Sequence, residues 1–434
     1  MPTTKISLQP DDLPKKWYNI LPDLPKPLPP HKDPEDGPSR LQNLPNLFTK
    51  QVLQQEMAQD RYIPIPRQVR ELYIQSGRPR PLYRAKRLEK ALKTPAKLYY
   101  KSEFYSPTGS HKINTAIPQA FYAKQNGIER MVTETGAGQW GTALAYACSL
   151  MGLDLTVYWV RAASKWKKSR RNFMQLLGAT VYDSPSTNTK IGKELLKNDP
   201  NHVGSLGIAI AEAVQDAQKD PNATYSLGSV LNHVLLHQTI IGLECKKQFD
   251  LVEDYPDVVI SCLGGGSNFG GLAIPFMRDR LIKKRKIRFI AAQSEAAPNL
   301  TGTYRYDYGD YAEQTPLLKM CTLGHRTSFR PIKADGLRYH GAAPIISALR
   351  HQGLIDTVIY PHDEDYVFAK AKLFIQTEGF LPAPESAYSI AAAIDEAVRC
   401  KRSGEKKTIL FNVSGHGFMD MEGYEEKILR KINN

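Results

Sequence analysis

From Lys97 onward, short β-prone apolar runs alternate with stretches of helical spacing. KLYYKSE precedes INTAIPQAFYAKQ, RMVTET precedes QWGTALAYACSLMG, LTVYWV precedes KKSRRNFMQLLG, and TVYD follows. In the second half DVVISCLGGG leads into FGGLAIPFMRDRLIKK, IRFIAAQSE comes next, and TILFNVSGHG lies near the C-terminus. Strand, turn and helix in repeated alternation predict an α/β fold with helix-covered, mostly parallel sheets. In such folds ligands bind beyond the carboxyl ends of the strands, where the turns carry glycine. The first sixty residues break the pattern. Their proline-rich stretch LPDLPKPLPPHKDPEDGP excludes long helices and a central strand, so residues 1–60 read as an extended arm laid on the body or on a partner. A chain of 434 residues exceeds the size of one core, which predicts two domains with a ligand cleft between them. The expected division is 61–235 and 236–434.

Composition narrows the class. A hydrophobic fraction of 41% is ordinary, no run approaches the roughly eighteen apolar residues of a membrane span, and the N-terminus lacks a signal peptide's apolar core. A cytoplasmic location with no membrane contact is the expectation. Five separated cysteines without a CxxC pair argue against a zinc site and a disulfide framework and read as buried small hydrophobes. The formal charge of +14 raises nucleic acid as a partner. The basic residues are dispersed, however, and the densest clusters, Lys165 to Arg171 and Lys283 to Lys286, read as solvated helix faces or ends. No nucleic-acid module accompanies them.

Four short segments carry candidate chemistry. Gly264-Gly265-Gly266-Ser267-Asn268 follows the apolar run Val258 to Leu263 and opens a helix. Glycines let backbone N–H groups close on a phosphate, and a helix N-terminus favours the anion. Neither Walker nor dinucleotide spacing is present, and a tight strand-to-helix turn explains the run equally well. Ser110-His111-Lys112-Ile113-Asn114 holds a lysine at a loop-to-helix junction, which is what capture of an aldehyde needs; most lysines are merely solvated. In Glu134-Thr135-Gly136-Ala137-Gly138-Gln139 a turn opening a helix can cradle a carboxylate. Glu134 there is either a general acid/base or a capping carboxylate. Asn412-Val413-Ser414-Gly415-His416-Gly417 ends the last predicted strand and offers a neutral hydroxyl or is a surface turn.

Together and in this order, HKIN, ETGAGQ, GGGSN and NVSGHG, with GRPRPLYRA, LMG and PAPESA, resemble the β chains of tryptophan synthase, within the fold-type II pyridoxal-phosphate enzymes. The likeness runs from about Gly77 to near the C-terminus. It implies a carbon–oxygen lyase in aromatic amino-acid biosynthesis that condenses L-serine with indole to L-tryptophan. By this resemblance Lys112 is the Schiff-base lysine and proton shuttle, and Glu134 is the acid/base at the β-hydroxyl and at indole. Thr135, Gly136, Ala137, Gly138 and Gln139 hold the substrate carboxylate; Gly264, Gly265, Gly266, Ser267 and Asn268, with His111, hold the phosphate. Ser414 meets the pyridine nitrogen, and Glu385 and Gln139 line the cofactor pocket. Serine rather than a carboxylate at that nitrogen leaves the ring a milder electron sink. A mobile lid at about 127–226, a homodimer, an α-chain partner and a monovalent cation on backbone carbonyls are further implied traits. A metal ion held by side chains is not among them.

Two departures from the common form matter. Trp140 stands where a histidine is usual, and Arg338 stands where an aspartate orients the substrate hydroxyl. With the longer arm, these features are similar to the divergent second class, the B2 type. Arginine for a carboxylate changes the local charge by about two units, so Arg338, with His340, is expected either to favour an anionic donor such as O-phosphoserine or to pair with a neighbouring carboxylate. Within the same fold, cysteine synthase and serine/threonine dehydratase are the alternative activities.

Overall fold

The computed structural model describes residues 4–430, which are organised by two sheets. The larger runs Lys5–Ile6, Leu82–Arg84, Lys97–Ser102, Thr408–Val413, Val258–Cys262, Arg288–Ser294, Asp356–Tyr360. From Lys97–Ser102 onward its strands are parallel, and the first two form an antiparallel edge. The smaller sheet runs Thr180–Ser184, Asp154–Val160, Arg130–Thr135, Ala223–Ser226, all parallel. Every residue of Val258–Cys262 and Thr408–Val413 is buried. These strands therefore read as continuous apolar runs, because helices cover both sheet faces.

The sheets do not follow the expected boundary between residues 235 and 236. Lys97–Ser102 pairs along its whole length with Thr408–Val413, so part of the expected N-terminal domain belongs to the large sheet. Such pairing joins segments some three hundred residues apart, and no local pattern encodes it. The helices Ile113–Gln125 and Gln139–Met151 lie where the apolar spacing places them. The second stops at Gly152, whose φ of 60° few other residues adopt without strain. An antiparallel hairpin, Thr303–Tyr308 with Leu317–Thr322, was not anticipated.

The arm makes only short elements. Its longest helix is Lys50–Glu56, and Lys16–Tyr18 pairs with Tyr62–Pro64. Trp17, Tyr18, Leu47, Phe48 and Val52 are buried, and the Glu56 carboxylate accepts the backbone N–H groups of Asn232 and His233. The arm thus lies on the body. No helix among the described residues is long and apolar enough to cross a membrane. All five cysteines are buried and free.

One reading of the basic clusters is corrected. Lys283 to Lys286 is exposed, but in the Lys165 to Arg171 cluster the side chains of Lys167 and Arg170 are 0% and 1% exposed. They face the Asp420 carboxylate at 3.3 and 2.6 Å, and Lys167 also lies 3.6 Å from Asp335. Burial is tolerated because the charges oppose one another.

Candidate active site

Lys112 stands at the N-terminus of Ile113–Gln125, in a turn fixed from several sides. The His111 N–H donates to the Ser414 carbonyl at 2.8 Å, and Gln238 donates to the His111 carbonyl at 3.1 Å. Asn114 donates to Glu103 and Gln238, both at 3.0 Å. Held this way, the Lys112 amine donates to the Gly228 carbonyl at 2.5 Å and to Ser267 Oγ at 3.0 Å. Burial pushes its pKa down to about 8, so about a tenth of it is a neutral nucleophile at pH 7, far more than for an ordinary lysine.

The phosphate-type cradle faces this amine. Gly264 to Gly266 turn the chain from Val258–Cys262 into the helix Ser267–Leu281, whose first-turn N–H groups lack acceptors within the helix. Gly266 has φ +120°, and a Cβ on Gly265 would lie 2.7 Å from Ser229 Oγ. His111 Nε2 lies 3.1 Å from Ser267 Oγ, while its buried Nδ1 has no hydrogen-bond partner among the described residues. Burial and the adjacent Lys112 push this imidazole down to about 3, so it is neutral. Asn268 donates to Ser261 Oγ and accepts from Asn412, both at 2.6 Å, tying the strand ends together. Ser414 Oγ lies 2.8 Å from Ser386 Oγ. A glycine cradle with no room for Cβ atoms, a buried imidazole nitrogen without a partner among the described residues and an amine that reaches Ser267 at the cradle's helix fit pyridoxal phosphate.

Glu134 lies at the end of Arg130–Thr135, and the turn after it opens Gln139–Met151. Thr135 Oγ1 accepts from the Gly141 N–H at 3.2 Å. Gln139 donates to Glu385 at 3.1 Å, and the other Glu385 oxygen accepts the Gly336 N–H at 2.9 Å. Burial raises Glu385 against the opposing Lys167 charge. Burial likewise pushes Glu134 up to about 8, opposed by a hydrogen bond from the Tyr225 hydroxyl at 2.6 Å. A carboxyl poised there can both give and take a proton near neutral pH.

A cleft of about 720 Å³ brings together His111, Lys112, Glu134, Thr135, Gly136, Ala137, Gln139, Gly264 to Asn268, Glu385 and Ser414. Gly138 does not line it. Its φ of 85° makes the turn, and a Cβ there would meet the Trp159 ring at 2.5 Å. Arg338 also lies outside, in an adjoining small pocket with Gly136, Ser205 and Asp335, and it pairs with the Asp335 carboxylate. His340 faces Thr322 Oγ1 at 3.1 Å, and burial pushes it down to about 4. The motifs did not single out Gly228, Ser229, Asp335 or Tyr339, which also line the cleft. Nor did they single out Trp140, which donates to Thr133 Oγ1 at 2.7 Å, as a site residue. A second chamber, about 820 Å³ and mostly apolar, adjoins the cleft and shares Glu134, Leu206, Ser229 and Tyr339 with it. Arm residues Leu47, Phe48 and Val52 help to wall it.

A family profile described as "Pyridoxal-phosphate dependent enzyme" matches residues 74–415. The chain is 55% identical over 432 residues to the "Tryptophan synthase beta chain" of Thermococcus onnurineus, covering 99% of this chain and 97% of that one. It is 53% identical over 429 residues to the "Tryptophan synthase beta chain 2" of Methanothermobacter thermautotrophicus, covering 99% of each. The chain belongs to the tryptophan synthase β-chain family. Solved structures show the same fold at low identity. A fungal L-serine ammonia-lyase from Rhizomucor miehei has a TM-score of 0.59 at 16% identity, covering 81% of this chain and 97% of that one. Threonine deaminase isoform 2 from Solanum lycopersicum has 0.59 at 18%, covering 93% and 99%. As a tryptophan synthase β-family member, the chain has the fold-type II architecture that the resemblance implied, with the helix-covered, mostly parallel sheets expected from its alternating pattern and the cleft at the strands' carboxyl ends.

Proposed function

We propose that this chain is a pyridoxal-phosphate lyase that replaces the β-substituent of a serine donor with indole, giving L-tryptophan. The carrying observation is that one carboxyl, Glu134, belongs to both the polar cleft and the apolar chamber. Pyridoxal phosphate, when bound, supplies an aldehyde that captures the donor's amine and a ring that takes up the electron pair left at the α-carbon. Lys112 is the base that takes the α-proton and returns it at the end. The turn Thr135 to Gln139 orients the donor's carboxylate at a helix N-terminus. Glu134 gives a proton to the departing β-oxygen and later takes one from the indole ring in the chamber. The apolar walls exclude water from the electrophilic carbon. His111 and the glycine run, neutral and rich in N–H donors, hold the phosphate.

The donor's β-substituent has a distinct environment. Beside the cleft, Lys167, Arg170 and Arg338 stand among the acidic side chains of Asp335, Asp420 and Glu385. An arginine in the small pocket next to the cleft supports O-phosphoserine as the preferred donor, with Arg338 attracting the departing phosphate even though Asp335 partners it. Family membership supports an α-chain partner, a homodimer, a monovalent cation on backbone carbonyls, a mobile segment at about 127–226 and a cytoplasmic location.

Turnover separates the alternatives. Serine or O-phosphoserine with indole should give tryptophan; cysteine from sulfide, or pyruvate as the main product, would favour a cysteine synthase or a dehydratase. Arg338→Ala should lower kcat/KM for O-phosphoserine at least tenfold more than for serine. An equal effect on both donors removes Arg338 from donor choice.

A further inference from the structure

Resting on the reading of Glu134 as the proton carrier, we propose that Tyr225 is its positioning residue. In this role the phenol fixes the carboxyl at the mouth between the polar cleft and the apolar chamber. Tyr225 lies on Ala223–Ser226, which pairs in parallel with Arg130–Thr135 so that Tyr225 stands opposite Val132. Glu134 is two residues further along its strand and projects to the same face as Val132. The two side chains therefore meet, and the phenol donates to Glu134 Oε2 at 2.6 Å. Among the described residues no other side chain donates a hydrogen bond to that carboxyl; its own backbone N–H is the remaining donor, and the Lys112 amine faces it as a charge.

The phenol is itself firmly held. Its ring lines the apolar chamber, and Phe48 of the arm packs edge-on against it at 5.6 Å and against His233 at 6.1 Å. Burial and the neighbouring Glu134 raise its pKa well above the ordinary phenol value, so it remains a donor over the working range. A donor aimed at a carboxylate favours the ionised form, which opposes the effect of burial. Tyr225 thus sets both the direction of the carboxyl and the pH at which it gives up its proton. A tyrosine that merely filled the chamber wall would do neither.

The test uses the holoenzyme with Tyr225→Phe, Glu134→Gln and the double variant, each followed across pH. Phenylalanine keeps the wall, so the cofactor's absorption and KM for indole should stay within about twofold. Loss of the one hydrogen bond should lower kcat about tenfold at neutral pH and move the limb belonging to Glu134 upward by as much as one pH unit. In the Glu134→Gln background, Tyr225→Phe should cost nothing further. An unmoved limb, or the same loss in both backgrounds, overturns the role of Tyr225 while leaving Glu134 in place. Full turnover in Glu134→Gln overturns the reading of Glu134 and this inference with it.

Discussion

Asp420→Asn is the most searching perturbation of the buried charge cluster that joins the four-stranded-sheet segment to the C-terminal turn. Asp420 accepts from Arg170 at 2.6 Å and lies 3.3 Å from the Lys167 amine, all with negligible solvent exposure. Burial alone would raise its pKa, but Arg170 and Lys167 outweigh that and hold it below the ordinary aspartate value. Asparagine keeps the shape, removes the charge and leaves two buried cations undercompensated, with Asp335 at 3.6 Å from Lys167 and Glu385 beyond it. Removing one partner of a buried pair costs about 3–5 kcal/mol, more than a lone hydrogen bond to a charged group. The loss falls on the contact between Lys168–Leu176 and the turn Phe418–Asp420, so the assay is amide hydrogen exchange read locally. Even about 3 kcal/mol lost there speeds exchange across the helix by on the order of a hundredfold. Adding Lys167→Met should restore part of the protection, because one undercompensated cation is gone. The wild-type contribution is complete above the ordinary aspartate value and is lost as pH falls through the lowered one. Exchange within threefold of wild type in Asp420→Asn would refute the reasoning.

Two further outcomes follow from the site's geometry. Gly265→Ala puts a Cβ 2.7 Å from Ser229 Oγ and 2.9 Å from Ser229 Cβ, so the cradle must open. An overpacking penalty of about 1–3 kcal/mol should weaken cofactor binding roughly tenfold or more, measured by titrating apoprotein; unchanged affinity would free Gly265 from the cradle. With Lys112 pushed down to about 8, capture of the cofactor by apoprotein should accelerate about tenfold per pH unit below 8 and level off above it, because only the neutral amine reacts. A stopped-flow rate still climbing well above pH 9 would mark an ordinary lysine.

The cleft was legible where chemistry is written in short segments. Lys112, Glu134 and the run from Gly264 each sit at a strand-to-helix turn, and such turns announce themselves by apolar runs ending in glycine or a polar pair. What pairs with what was not legible. Lys167 and Arg170 look like any solvated basic helix face, because the carboxylate that buries them is Asp420, some 250 residues later. Arg338 was visible as a charge reversal, but its pairing with Asp335 and its place outside the main cleft depend on how that loop turns. Tyr225 escaped notice because its strand has only four residues, too few for a period to register. The make-up of the large sheet was not legible for a related reason, since Lys97–Ser102 takes a neighbour from the far end of the chain.

The claim on which the rest depends is that the Lys112 amine is the one that captures the cofactor. Borohydride reduction of the protein loaded with pyridoxal phosphate, followed by peptide mapping, tests it directly. The account predicts one covalently modified peptide, the one containing Lys112, and no stable modification in Lys112→Ala. A label on another lysine, with Lys112 unmodified, would contradict it.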